Sequence, residues 1–481
     1  MTQPALIGVD LGTSQVKVGL YDHAGKPLAR AGRRHPLHHP APGSAEQDPA
    51  AWWDALVGAT AAALAAAGPV EVSAISVVGQ GPTLVACTAA GEPLRPAITW
   101  MDTRAHAHQV RLARVLEMDG FRIGNLPKIA WLAEHEPEVA ERAAMFLSSW
   151  DYLTLRLSGR AITAIPPTRN QATPEMAKRA GLDGSRLPEP VPWGTALGTV
   201  TARAAADLGI SPDCVVVAGG NDALGSYLGA GIDTAGQAIN NSGSSGGFAV
   251  YWTEGTEIPG VYSIPAVVPG LRLFGGAMSA TGLALEWMRT VAGGGSLDDL
   301  VGAAGRVEPG AGGLVFLPYL AGERSPLWDA DARGVFAGLA LGHGPEHLTR
   351  AVLEAAGYAI RHIAEPILAG GVAVGDMRVA GGGAASAVWN QVKADVTGFP
   401  VSVPADIETA SMGAAILAAA GSGLRPDLVE AMRAMVRVAG RYEPAAGLAG
   451  RYDELYAVYR ALYPALQETF TTLAGYRERY G

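Results

Sequence analysis

Two aspartates in this sequence each close an apolar, strand-like run and are surrounded by small residues. Asp10 ends the run from Leu6 and is followed by Leu11-Gly12-Thr13-Ser14. A turn of that composition offers free backbone amides. Gly12 lets the chain approach a phosphate that the Thr13 and Ser14 hydroxyls can hold. Asp10 could bind Mg2+ through water, because that ion sheds its hydration reluctantly, and Lys17 could reach a phosphate. A plain hairpin turn accounts for the same residues. Asp222 ends Ala218-Gly219-Gly220-Asn221-Asp222 and precedes the helical pattern Ala223–Ala230. A carboxylate there could accept a hydroxyl proton while the oxygen attacks phosphorus. Phosphoryl transfer asks the protein mainly to position groups and neutralise charge, so one aimed carboxylate with Mg2+ is a sufficient set. The other reading of Asp222 is an N-cap on the adjoining helix.

Three further runs offer binding chemistry. Ser242-Gly243-Ser244-Ser245-Gly246 has the small residues and hydroxyls to wrap a triphosphate, or to form a surface turn. Gly381-Gly382-Gly383-Ala384 lies between a strand and a helix, where backbone can lie flat against a base or ribose. No G-x-G-x-x-G follows the first strand and no G-x-x-x-x-G-K-[ST] occurs, so ATP would bind without a Rossmann turn or a P-loop. In Trp100-Met101-Asp102-Thr103-Arg104 the charged pair could bracket polyol hydroxyls beside an indole wall; a surface ion pair explains it equally. His35, His38 and His39 sit in a proline-rich loop without a carboxylate at ligand spacing, which argues against a metal.

The elements that must carry these runs can be read from periodicity. Val16–Tyr21 and Leu28–Gly32 read as strands joined by the turn Asp22–Lys26. Asp48-Pro49 opens a helix with Trp52, Trp53, Leu56, Val57 and Leu64 on its apolar face, and Gly68 stops it. Val72–Val78 and Cys214–Ala218 read as buried strands. In the second half, Gly344-Pro345 opens a long helix with apolar residues at Leu348, Val352, Leu353, Ala356, Ile360 and Ile363. Met377–Ala380 is a strand, Ser386 caps a helix ending at Gly398, and Tyr452–Tyr476 is helical. The strand–turn–strand from Leu6 and a second one, Ala238–Gly246 with Phe248–Trp252, suggest two copies of one α/β domain. The boundary falls near Gly231–Gly236, giving domains 1–235 and 236–481.

Length and composition agree with that division. A chain of 481 residues is too long for one ordinary core. It is 49% hydrophobic and 17% charged, the balance of a globular enzyme, with net charge −9 and no basic stripe for nucleic acid. Two distant cysteines fit a reducing cytoplasm. No signal-peptide pattern opens the chain, and the Ala59–Ala67 stretch is too short to span a bilayer, so no membrane partner is expected.

Taken together, these stations resemble the FGGY carbohydrate kinases, most closely their xylulokinase branch. The resemblance rests on Asp10–Ser14, Glu46–Pro49 with Trp52-Trp53, Gly79-Gln80, Leu94–Ile98 with Trp100 and Asp102, and Pro127-Lys128 with Trp131. It continues through His135–Glu138, Asp151–Leu153, Gly219–Asp222, Leu317–Pro326, Gly334–Gly338 with His347 and Glu354, and Gly381–Ala384 with Trp389. It implies two ribonuclease-H-like, actin-like ATPase domains flanking a central cleft, the first binding sugar and the second most of the nucleotide. It makes Asp222 the general base, Asp10 the residue near Mg2+, and Gln80, Trp100, Asp102, Arg104 and Asn221 candidate sugar contacts. Gly12, Thr13, Ser14, Lys17, Gly243, Ser244, Ser245, Gly382, Gly383 and Ala384 become contacts for ATP.

The activity so implied is ATP-dependent phosphorylation of a small sugar, foremost a ketopentose such as xylulose, by a homodimer in the cytoplasm. The sequence departs from the xylulokinase pattern where Gly81-Pro82 follows Gln80 and Ala223 follows Asp222, removing two usual polar sugar contacts. The Arg-Glu pair that glycerol kinases carry after the matching glutamine is missing too. Ribulose, erythritol and glycerol kinases, and an actin-like ATPase that is not a kinase, are the other readings.

Overall fold

Runs of β-branched and apolar residues form the strands, and the turns between them fall at glycine and aspartate as the pattern predicts. The computed structural model describes residues 2–118, 122–166, 171–243, 245–253, 255–258 and 261–480. It divides into two units, Met1–Gly231 with Thr409–Val436, and Ile232–Glu408 with Arg437–Gly481.

In the first unit a six-stranded sheet has the order Ala196–Thr199, Val215–Asn221, Val70–Gly79, Gln3–Leu11, Gln15–Tyr21, Pro27–Arg34. The last three are antiparallel neighbours, whereas Gln3–Leu11, Val70–Gly79 and Val215–Asn221 run parallel. The helix Pro49–Ala67 is N-capped by Asp48, whose carboxylate accepts the Ala50 N–H, and ends at Gly68. It is long and apolar enough by composition to cross a membrane. In the fold it packs against Gln15–Tyr21 and Pro27–Arg34, with Trp52, Leu56, Ala59 and Ala63 buried.

The second unit repeats the plan in a seven-stranded sheet: Ser263–Pro265, Leu271–Met278, Gly246–Thr253, Gln237–Ser242, Asp376–Ala380, Val401–Pro404, Val438–Tyr442. Gln237–Ser242 pairs antiparallel with Gly246–Thr253 and parallel with Asp376–Ala380, as Gln3–Leu11 does with its two neighbours. Both sheets thus contain three antiparallel strands followed by two parallel ones, the ribonuclease-H-like pattern. The helix Pro345–Ala369 buries Val352, Leu353, Ala356, Ile360 and Ile363, the face read from its spacing. Within it Arg350 and Glu354 form a buried ion pair, and Tyr452 hydrogen-bonds to both.

The segment Thr409–Val436, placed by sequence within 236–481, packs in the first unit. Glycines make this possible. A Cβ on Gly8 would lie 1.8 Å from the Ser411 carbonyl oxygen, and one on Gly229 would lie 1.8 Å from that of Thr409. A Cβ on Gly413 would lie 1.9 Å from the Gly225 carbonyl oxygen. The helix Thr409–Gly421 therefore lies directly on the strand Gln3–Leu11 and on the helix Asp222–Gly229. Gly413→Ala drives a methyl group into backbone that no side-chain rotation can relieve. The expected result is a loss of about 3 kcal/mol, read as a lower urea midpoint, with reduced turnover because Asp222 heads the displaced helix.

Candidate active site

Parallel pairing brings the first aspartate to the same sheet edge as the second. Asp10 is in register with Val78, and Val78 with Gly220; Leu11 matches Gly79, and Gly79 matches Asn221. Asp10, Gln80 and Asp222 therefore emerge at the same, carboxyl ends of three adjacent strands, where open α/β sheets bind ligands. Two strand spacings put the Asp10 and Gly220 backbones about 10 Å apart, and Asp222 follows two residues beyond.

The approach to Asp222 is irregular. Between Val217 and Gly220 the strand carries one residue more than its partner does between Ser76 and Val78, a bulge that re-aims Asn221 and Asp222. The glycines there are required by close contacts. A Cβ on Gly219 would sit 1.7 Å from the Val77 carbonyl oxygen, and one on Gly220 would enter the Trp193 ring. The helix cap is Asn221, whose Oδ1 accepts the N–H groups of Ala223 and Leu224 at 3.0 and 3.4 Å. The alternative reading of Asp222 as the cap thus falls to its neighbour, and the Asn221 amide oxygen is engaged in the backbone. Asp222 is half-buried and accepts the Ala223 N–H at 2.7 Å. Burial raises its carboxyl to about 6, against the pull of the Ala223 and Asp222 amides.

Gln47, which the sequence shows only as part of the run Glu46–Pro49, connects the neighbouring stations. It is fully buried, and all its polar valences are filled. Its Nε2 donates to the Thr13 carbonyl at 2.6 Å and to His35 Nδ1 at 3.2 Å. Its Oε1 accepts from Gln80 Nε2 at 2.6 Å and from Trp52 Nε1 at 3.2 Å. With Nδ1 accepting, His35 carries its proton on Nε2 and donates it to the Gly12 carbonyl at 3.1 Å. Burial lowers the His35 pKa and favours this neutral form. His39 bonds the Ser44 carbonyl instead, so these histidines are loop fasteners. Gly12, Thr13 and Ser14 form the turn, and Lys17 stands opposite Asp10 on the antiparallel strand.

Trp100 is exposed, and its Nε1–H donates to Thr13 Oγ1 at 2.9 Å. Asp102 and Arg104 face each other. Arg104 Nη2 donates to Asp102 Oδ2 at 2.6 Å and to Glu46 Oε1 at 2.5 Å, and its guanidinium lies 4.5 Å from the Trp131 ring centre. Arg95 joins Glu46 to Glu136. Burial acts to raise the Asp102 carboxyl, but Arg104 and the Ala45 and Arg104 amides hold it below the usual range. Nothing in the sequence pattern pairs Glu46 with either arginine. Around the turn 80–83, Gln80 Oε1, Asn125 Oδ1 and Trp150 Nε1 are buried without hydrogen-bond partners. Buried Lys128 donates to the Pro82 carbonyl at 2.9 Å, and desolvation lowers its amine to about 8. A Cβ on Gly81 would strike the Trp150 ring at 2.6 Å.

In the second unit, Ser242-Gly243 and Gly381–Ala384 meet. Asn241 is in register with Ala380, and the Cβ position of Gly381, whose φ is +78°, lies 3.1 Å from the Ser242 carbonyl oxygen. A Cβ on Gly383 would fall 2.7 Å from that of Ser242, whereas Gly382 is exposed with open space above it. The juxtaposed turns bring backbone of Gly381–Gly383 against Ser242, with Gly382 open to solvent, where a nucleotide could lie. Ser245 is half-buried at the start of the next strand, and Ala384 is buried with its carbonyl bonded to Asn390 Nδ2. Ser244 lies outside the described residues. Asp10, 8% exposed at a strand end, offers the hard oxygen that Mg2+ prefers.

Comparison with known proteins bears on the family. The N-terminal domain of the FGGY family of carbohydrate kinases matches residues 5–229, and the C-terminal domain of that family matches 238–422. A xylulose kinase of Bacillus subtilis is 30% identical over 98% of this chain and 99% of its own. A gluconokinase of the same organism is 28% identical over 98% of each chain. The crystal structure of a xylulose kinase from Rhodospirillum rubrum superposes with a TM-score of 0.82 at 32% identity, covering 97% of this chain and all of that one. Two sheets of ribonuclease-H-like order, each carrying its own set of glycine-rich turns, and matches that span nearly the whole chain lead to one conclusion: this protein belongs to the FGGY family of carbohydrate kinases, enzymes that use ATP as phosphoryl donor.

Proposed function

We infer that this chain phosphorylates a ketopentose such as xylulose, binding the sugar in the first unit and ATP at the glycine turns of the second. The observation that carries the reading is Asp222: a raised carboxyl at the end of a bulged strand, relieved of capping by Asn221 and at the same sheet edge as Asp10. ATP supplies the phosphoryl group, and Asp10 would hold Mg2+, which would offset charge on the phosphate oxygens. Asp222 accepts the proton of the attacking hydroxyl. The partnerless atoms of Gln80, Asn125 and Trp150 are candidate contacts for sugar hydroxyls, since buried polar groups ordinarily find partners. The relatives named xylulose kinase support a ketopentose, and Gly81 against Trp150 gives this pocket an aromatic wall in place of a polar side chain. Buried, unpaired Cys87 and Cys214, with thiols pushed up to about 12 by burial, support a cytoplasmic setting.

Asp222→Asn is expected to lower kcat by about 10²–10⁴ while ADP binding persists. In the wild type, kcat/KM should fall as pH drops through about 6, because protonated Asp222 cannot act as a base. The same carboxyl sets a stability signature. A folded pKa raised above the unfolded value favours the folded state at low pH, and that contribution is lost as pH rises through about 6. Asp222→Asn should therefore melt above the wild type at about pH 8 and level with it at about pH 4. Retention of more than roughly a tenth of kcat sinks the assignment of the base.

Asp10→Asn is expected to raise the Mg2+ concentration needed for half-maximal rate while leaving the melting temperature near that of the wild type. A coupled ADP-release assay over xylulose, ribulose, erythritol, gluconate and glycerol tests the substrate. The highest kcat/KM is expected for a ketopentose and a poor one for glycerol. A preference for gluconate or glycerol overturns the ketopentose reading.

A further inference from the structure

Beneath the glycine turns of the second unit lies a buried amine that faces no carboxylate among the described residues. Lys393, on the helix Ala387–Thr397, is fully buried, and its Nζ donates to Ser242 Oγ at 2.7 Å. Ser242 Oγ in turn donates to Asn240 Oδ1 at 2.7 Å, so the hydroxyl is oriented to receive the lysine. The ammonium lies 4.5 Å from the centre of the Trp389 ring, against which a Cβ on Gly383 would clash at 2.9 Å. Lysine, Ser242 and the two glycine turns therefore form one contiguous cluster.

Among the described residues no carboxylate pairs with Lys393. The acids on neighbouring elements are engaged elsewhere. Glu354 pairs with Arg350, Asp395 accepts the Ala445 N–H, and Asp376 pairs with Arg378. The cations Arg361 and Arg441 on those elements bind Asp453 and Glu443. The strands Gln237–Ser242 and Val401–Pro404 carry no ionisable side chain. A buried charge without a partner is costly, so such a group tends to neutralise, and groups perturbed in this way cluster at functional sites.

We propose that Lys393 supplies the counter-charge for the bound nucleotide: a polyphosphate lying on Ser242-Gly243 and Gly381–Gly383 places its negative charge against this amine, and binding draws a proton onto it. The inference rests on nucleotide binding at these turns. Desolvation alone lowers the Lys393 amine to about 7, so above neutrality an arriving anion finds it largely unprotonated and restores the proton. The depressed pKa also has a stability consequence. The folded state loses stability as pH falls from about 10 toward about 7, because the unfolded lysine takes up a proton that the buried one resists.

The test is calorimetric titration of the full chain with ADP at about pH 8, where ADP is already fully ionised, in two buffers of different ionisation enthalpy. The wild type is expected to take up a fraction of a proton, and Lys393→Met to take up none and bind ADP roughly tenfold more weakly, a difference of about 1.4 kcal/mol. Methionine fits a buried, partly aromatic site, so this variant should fold, and its melting temperature should gain on that of the wild type as pH falls toward about 7. Equal proton uptake and equal ADP affinity in the two proteins overturn the role of Lys393. ADP binding to the wild type that Gly383→Val leaves untouched overturns the nucleotide placement itself, and the inference with it.

Discussion

Parallel pairing of Gln3–Leu11, Val70–Gly79 and Val215–Asn221 is the constraint on which the first unit depends. Strands that run the same way end at the same edge, so residues that the sequence separates widely arrive together. The register then decides the rest. Asp10 lies level with Gly220 through Val78, and a single extra residue in the third strand turns Asp222 out of the sheet and onto the helix Asp222–Gly229. That helix is held from behind by Thr409–Gly421 through Gly225 and Gly413, so backbone contacts fix where the carboxylate starts. The raised pKa is a result of this placement: a carboxyl fixed in a half-buried niche, with few amides to stabilise its charge, keeps its proton longer.

Gln47 performs a comparable task with hydrogen bonds. A primary amide has two donors and a two-lone-pair acceptor, and here each meets a partner from a different part of the unit. It ties the Gly12–Ser14 turn, through Thr13 and His35, to Gln80 at the end of the adjacent strand. The Gly12–Ser14 turn and Gln80 thus share one buried fastener. Arg104 plays a parallel part further out, where its fork gathers Asp102 and Glu46 while its face covers Trp131.

Local chemistry was well represented in the sequence. Asp48 and Ser386 as caps, Gly68 and Gly398 as stops, the apolar face of Pro345–Ala369 and the two strand–turn–strand units all depend on neighbours a few residues away, and all appear where the pattern placed them. Non-local facts were hidden. Whether Asn221 or Asp222 caps the helix turns on one backbone angle. That Arg104 binds Glu46 depends on two loops meeting. Lys393 reads as an ordinary helical lysine until Ser242, 151 positions away, is found against it. The return of Thr409–Val436 to the first unit had a signal, the small residues of Gly8, Gly225 and Gly413, but small residues name no partner until the fold supplies one.

That returning segment has a consequence for how the molecule is made. A ribosome delivers the strands Gln3–Leu11, Val70–Gly79 and Val215–Asn221 early, yet the helix that lies on Gly8 and Gly225 emerges only after six of the seven strands of the second unit's sheet. Domains ordinarily fold in order as they leave the exit tunnel. Here the first half to be synthesised waits for a segment made after most of the second, and until Val436 has appeared its glycine-lined face stays bare to whatever else the nascent chain or the cell presents.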